Sequence, residues 1–204
     1  MKKYLIVIAV LLLTACSHEP KATNANVVNI NKEDNSPEMK SLKEALAKYT
    51  EATISHDAKT LVSFVYPKVF TIVPKEKMLE MLTKTFSSKD APIIKDVKHI
   101  KIEPIKKYDK GIYSIITSSI TTVIKSPRPN DSKFEIYMLQ SLKRNLNTKA
   151  TITLDKKKHT FNIKHSNKTI ALNEDGSWKF IGFKQAKQYI DKGIFPSMLI
   201  DKFK

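Results

Sequence analysis

Residues 112–124, Ile-Tyr-Ser-Ile-Ile-Thr-Ser-Ser-Ile-Thr-Thr-Val-Ile, decide the fold. Isoleucine, threonine and valine dominate, and side chains branched at Cβ favour the extended backbone. The run is too long for an ordinary loop and has no helical period, so it predicts one long strand. Tyr108-Asp109-Lys110-Gly111 lies directly before it and has the composition of a hairpin turn. The preceding run, 96–103, is then an antiparallel neighbour.

Toward the C-terminus the strand pattern continues. Ser126-Pro127-Arg128-Pro129-Asn130-Asp131 is a loop, and 134–143 reads as another strand. Shorter strands are expected at 150–154, 160–164 and 169–172, divided by 155–158 and by Ser166-Asn167-Lys168. Glu174-Asp175-Gly176-Ser177 is a tight turn, and 178–183 is the last central strand. A short helix at 185–191 and an apolar tail at 195–203, interrupted by Pro196, complete the chain. Ile194, Phe195, Met198, Leu199, Ile200 and Phe203 are too apolar for a free end, so the tail is expected to dock on its own domain or on a partner.

Toward the N-terminus the pattern is helical. Ser36 to Glu38 opens a helix, with Pro37 suited to the first turn. Leu42, Ala45, Leu46, Tyr49 and Thr53 share one face of it. Asp57 suits the N-cap of a second short helix carrying Leu61, Val62 and Val65 inward, which Pro67 ends. Residues 69–73 read as a short extended run. Pro74 opens a third helix with Met78, Leu79, Leu82 and Phe86 on its apolar face. Helices followed by an antiparallel meander define an α+β class. Two segments, 52–64 and Asp175-Gly176-Ser177-Trp178-Lys179-Phe180-Ile181, give residues 38–185 a resemblance to the nuclear-transport-factor-2-like (cystatin-like) superfamily. The resemblance implies helices packed on a curved antiparallel sheet to make an open-mouthed cone. It implies no single function, because that fold hosts isomerases, dehydratases, binding modules and assembly domains. An extra hairpin around 155–158 departs from its pattern.

The first residues set the expected address. Met1-Lys2-Lys3 is positively charged, residues 4–13 are apolar, and Leu13-Thr14-Ala15-Cys16 follows. Ten apolar residues are too few for a bilayer-spanning helix, which takes about 20, so residues 1–15 read as a secretory signal peptide. The ending resembles the lipobox of bacterial lipoproteins. That resemblance implies cleavage before Cys16 and its lipidation, with Ser17 favouring the outer membrane where one exists. Cys16 is the single cysteine, so no internal disulfide forms and no cysteine nucleophile is left. Residues 16–37 are polar and aperiodic and read as a lipidated flexible tether, and 38–204 as one domain. The net charge is +16, and removal of Lys2 and Lys3 with the signal leaves +14. Only Arg128 and Arg144 are arginines, so the cationic field is a diffuse one made by lysine rather than by the forked donors that read phosphates and bases. An exported chain is not expected to meet nucleic acid. An anionic envelope polymer or lipid headgroup fits the field better.

No pattern of catalytic residues converges. His56-Asp57 reads as a cap and turn. His99 and Lys101 alternate with Ile100 and Ile102, so His99 faces either solvent or the cone, with solvent or plain packing the simpler reading. His159 and His165 flank one expected strand in phase with Phe161 and Ile163, with no carboxylate near His159 in sequence. No HExxH, Cys/His cluster or GxSxG elbow is present, so neither a metal site nor a cofactor is expected. Tyr49, Tyr113, Tyr137 and Trp178 are the candidate lining of the cone. Ser114, Ser118 and Thr122, or else Thr117, Ser119 and Thr121, would add hydrogen-bonding groups to it. The expectation is a membrane-anchored lipoprotein on the periplasmic face of the envelope, binding a partner protein or apolar ligand without enzymatic chemistry. An acid/base enzyme and a structural protein on anionic polymer are the alternatives.

Overall fold

The computed structural model describes residues 35–146 and 150–190. The expected signal peptide at 1–15, Cys16, most of the expected tether and the apolar tail expected at 194–203 lie outside the described residues. Helix α1 spans Pro37–Ser55. The Ser36 hydroxyl caps it by accepting from the Met39 amide at 3.2 Å, and His56 ends it in the left-handed region at φ 60°. Asp57 then caps α2, Ala58–Ser63, by accepting from the Thr60 amide at 3.0 Å. His56-Asp57 is therefore a cap and turn, as its sequence predicts. Helix α3 covers Lys75–Phe86.

The expected extended run at 69–73 is instead the end of a 3-10 turn, Pro67–Thr71, followed by two turn and bend residues. Proline presets φ for the first helical position, and Val69 turns inward to be buried. The extended backbone lies slightly earlier: Val65 bridges Phe180 in parallel, and the Phe180 amide donates to the Phe64 carbonyl at 2.7 Å.

The sheet has six antiparallel strands: β1 Ile93–Ile102, β2 Lys106–Tyr108, β3 Gly111–Lys125, β4 Thr151–Asp155, β5 Thr160–Asn173 and β6 Trp178–Gly182. Strands β3 and β5 pair from Ile112↔Asn173 to Lys125↔Thr160 and form the spine. Strands β1 and β2 share the outer edge of β3, and β4 and β6 share that of β5. Strand β5 thus overturns the division expected at Ser166-Asn167-Lys168. The polar residues continue the strand because β3 supplies a full ladder along one side. On the other side β4 stops at Lys164 and β6 begins at Thr169, which leaves 165–168 between them.

The segment 134–143 is not the expected strand. It lies in helix α4, Ser132–Asn145. Asp131 caps this helix by accepting from the Phe134 amide at 3.0 Å. Met138, Leu139, Leu142 and Leu146 then fall on one helical face and pack on Ile124, Ile152, Phe161 and Ile163. Dense aromatic and branched residues made the segment look extended, and tertiary packing with a good cap overrides that propensity.

Both α1 and α4 cover the same face of the sheet, from opposite ends. Met39, Leu42 and Leu46 of α1 pack on Ile116, Ala171, Trp178 and Phe180. A further core cluster joins Tyr66, Val69, Tyr108, Tyr113, Ile170 and Leu172 with Ala186 of helix α5, Phe183–Ile190. The β4–β5 turn lies where the extra hairpin was expected, with Asp155 accepting from the Lys157 and Lys158 amides at 3.0 and 3.1 Å. Among the described residues no helix is long and apolar enough to cross a membrane.

Candidate functional site

Between the two helical covers the sheet face is not filled. A cavity of about 340 Å³ opens there, at the small end of the ~300–1,000 Å³ range of small-molecule sites. Leu46, Tyr49 and Thr53 of α1 and Phe64 form one wall, and Met78 and Leu82 of α3 another. Helix α3 is amphipathic, yet none of its side chains is fully buried. Its apolar face borders the cavity rather than a packed core. Among the described residues, no Asp, Glu, Lys or Arg side chain is part of the lining.

The polar groups come from the sheet. The cross-strand pairs His99↔Ser118, Ser118↔Asn167 and Ile116↔Thr169 bring His99, Ser118, Asn167 and Thr169 to the inner face, with His165 two residues before Asn167. His99 reaches that face because of two register shifts in β1, between Ile94 and Asp96 and between His99 and Lys101. Each bulge inserts one residue and reverses the alternation after it. Val97 and His99 turn inward, and Ile100 is left 63% exposed. His99 therefore borders the cavity at its rim while its ring stays exposed to solvent, so both expected surroundings meet at this residue. Lys101 points away, 3.8 Å from Glu103.

His99 is held at both ring nitrogens: Nδ1 lies 2.9 Å from the Ser118 hydroxyl and Nε2 3.0 Å from the Thr50 hydroxyl of α1. His165 is different. It is 5% exposed, and neither ring nitrogen has a hydrogen-bond partner. Asn167, equally buried, donates from Nδ2 to the Thr169 hydroxyl at a long 3.4 Å, while its Oδ1 has no partner. Burial lowers the proton affinity of both His99 and His165. They are neutral imidazoles in an uncharged cavity. Among the described residues the lining offers no carboxylate to stabilise an imidazolium, so the arrangement favours hydrogen bonding over proton transfer.

Of the four aromatic candidates, Tyr49 alone lines the cavity, packed against Phe64 and Phe180 at ring separations of 5.9 and 4.8 Å. Burial pushes its phenol above the ordinary value. Tyr113 is buried on the opposite face of the sheet. Tyr137 is 58% exposed on the outer side of α4. Trp178 is buried beneath α1, and its indole nitrogen donates to the Ser41 hydroxyl at 2.9 Å. Those three do not line the cavity. Their sequence signal was aromatic character alone, which core and surface residues share. His165 and Asn167 carried a usable signal: polar residues in phase with Phe161, Ile163 and Ala171 on one strand face.

Two polar clusters lie apart from the cavity. Glu174 accepts from the Tyr66 and Tyr108 hydroxyls on one carboxylate oxygen, at 2.9 and 2.6 Å. Burial, then the hydrogen bond to and the charge of Glu174, raise both phenols. Glu135 on α4 is 3% exposed and lies 3.0 Å from His159 Nδ1. This supplies the carboxylate partner that His159 lacks in sequence. His56 stacks on Phe86 with ring centroids 4.6 Å apart. Among the described residues no group of three or more His, Cys, Asp or Glu could hold a metal ion.

No family model matches this chain, and no curated protein and no solved structure matches it.

Proposed function

We propose that this chain is an envelope lipoprotein, anchored through lipid on Cys16, whose α+β domain binds a small, mainly apolar molecule. The domain reading extends the resemblance to the nuclear-transport-factor-2-like superfamily, with the cavity as the interior of the cone. The observation that carries the proposal is the cavity itself. About 340 Å³ lies between helices and sheet, walled mainly by apolar side chains with a few hydroxyl, amide and imidazole groups and, among the described residues, no charged side chain. Close packing is the rule in protein interiors, so an unfilled apolar space of this size is a feature to explain. A mix of apolar wall and few polar groups is the usual makeup of a ligand pocket.

The test is native mass spectrometry of the full chain extracted from its own membranes. A defined small-molecule adduct, lost when the interior is blocked by Ser118→Phe, supports binding. A chain that carries no adduct and takes up none from a lipid extract removes the reading. The enzymatic alternative rests on the free nitrogens of His165. It would replace binding if the released molecule differed in mass from the one taken up. The association with anionic polymer rests on the charge of +16. It predicts retention on envelope fractions that salt abolishes.

A further inference from the structure

Among the described residues, the fully buried polar atoms of the cavity that lack a partner all belong to one short piece of β5, and they define the head of the molecule that fits. Neutral imidazole offers one N–H donor and one nitrogen acceptor. His165 leaves both without a protein partner, and Asn167 leaves its carbonyl oxygen, with each residue about 95% buried. A buried polar group without a partner costs about 1–3 kcal/mol, so three such atoms side by side are a standing cost in the unliganded domain. Several other polar groups of the lining are paired, and the Tyr49 and Thr122 hydroxyls are not among its fully buried unpartnered atoms. His99, Ser118 and Thr50 satisfy one another, and Thr169 accepts from Asn167.

We infer that the cavity takes a small uncharged molecule with an aliphatic body and a single head group that both donates and accepts hydrogen bonds, a medium-chain alcohol being the simplest case, with the head at His165 and Asn167. This rests on the binding reading above and adds to it the class of ligand. A hydroxyl accepts from the imidazole N–H and donates to the Asn167 carbonyl. It serves equally well with the amide turned the other way, because it can exchange the two roles. A carboxylate meets no cation in the lining and faces the carbonyl oxygen of Asn167. An ammonium meets no carboxylate. Either would be a buried charge without a partner, the costliest arrangement a pocket can hold. Burial disfavours the charged form of His165, and of His99 at the rim, so neither offers an anion a ready cation. Position also fits. Residues 165–168 lie where β4 has ended and β6 has not begun, while the apolar side chains of α1 and α3 line the opposite side. The head therefore sits at the sheet and the aliphatic body runs toward Leu46, Met78 and Leu82.

The experiment uses the full chain in lipid nanodiscs with 15N-labelled histidine rings, empty nanodiscs correcting for partitioning into lipid. Four probes of equal chain length are titrated at neutral pH: 1-octanol, octanoate, octylammonium and octane. The His165 signals are assigned by their loss in His165→Phe. Saturable binding of octanol that moves the His165 ring nitrogens, with octanoate and octylammonium weaker by roughly tenfold or more, is the expected result. Asn167→Leu should then bind octanol no better than octane. Octanoate or octylammonium binding as well as octanol overturns the inference, and so does octanol that matches octane and leaves His165 unmoved. In both cases the binding reading survives, because the cavity is occupied. Failure of all four probes to bind saturably removes the binding reading and the inference with it.

Discussion

His99 Nδ1 lies 2.9 Å from the Ser118 hydroxyl across the β1–β3 pair, and the same ring reaches Thr50 of α1 through Nε2. One neutral imidazole thus ties a bulged edge strand to the central strand and to the first helix. His99→Leu keeps the volume but strands the buried Ser118 hydroxyl. It should cost about 1–3 kcal/mol of stability, against a smaller loss for His99→Gln, which retains a donor and an acceptor. Urea unfolding of the two variants checks this. Equal stability of His99→Leu and the parent would show the bridge contributes nothing.

That bridge also marks where sequence reading stops. The spine was legible: 112–124 has one composition, a turn at Tyr108–Gly111 before it and no competing pattern, and β3 is observed there. The caps Ser36 and Asp57 were legible because capping is local. His99 was not, since a bulge is one inserted residue and leaves the alternation of Lys95, Val97, His99 and Lys101 intact in the sequence while reversing it in space. Helix α4 was hidden for a related reason: its apolar residues fit a strand and a helix about equally, and packing on Phe161 and Ile163 chose between them. Strand β5 looked broken at Ser166–Lys168 because polar residues inside a central strand are unusual. His165 and Asn167 are tolerated there because they border the cavity and not a packed core.

Trp178 tests the packing of α1 on the sheet. Its ring is 4% exposed among Met39, Leu42 and Leu46, and its N–H is satisfied by Ser41. Trp178→Ala should cost about 3–5 kcal/mol, enough to unfold many single domains. Trp178→Phe should recover most of that, leaving only the indole hydrogen bond lost. A thermal melt of Trp178→Ala within a degree or two of the parent would contradict this packing.

Stability should fall on mild acidification. Burial holds the folded-state pKa values of His99 and His165 below the ordinary value of about 6.5, which the unfolded chain recovers. Between the folded and unfolded values the unfolded chain binds more protons. Stability therefore rises with pH through that window and is lost as pH falls below about 6.5. Asp57 and Asp175 have lowered values, held down first by side-chain hydrogen bonds from Thr60 and Ser177, and their contribution is lost only at lower pH, near the carboxylate range. The melting temperature should drop between about pH 7.5 and 5.5, and His165→Phe should flatten that slope. Identical slopes for parent and variant would exclude His165 as a source.

The proposed anchor is checked by mass spectrometry of the mature chain. Two or more acyl chains on one cysteine bind membranes stably, whereas a single chain is marginal. Cys16→Ser should lose the lipid mass and its processing before residue 16. A variant that still gives the same lipid-modified mature mass would defeat the assignment.

The pair Glu135–His159 fastens α4 to the β4–β5 hairpin. Glu135 is the buried member, and His159 sits in the left-handed region at φ 51°, with its carbonyl accepting from the Ser126 amide at 2.7 Å. The chain leaving β3 and the turn entering β5 therefore meet at the residue whose ring receives the α4 carboxylate. His159→Ala leaves that carboxylate buried without its partner and loses more than a surface substitution should, about 1–3 kcal/mol. Glu135→Leu removes the charge and adds apolar contact, so its cost is smaller. The double variant should then be less destabilised than the sum of the two singles, because the unpaired buried carboxylate is gone. A double-mutant cycle by urea unfolding measures the difference as a coupling of at least about 0.5 kcal/mol. Strict additivity would mean that the 3.0 Å contact does not hold the helix, and that Leu142 and Leu146 dock α4 by packing alone.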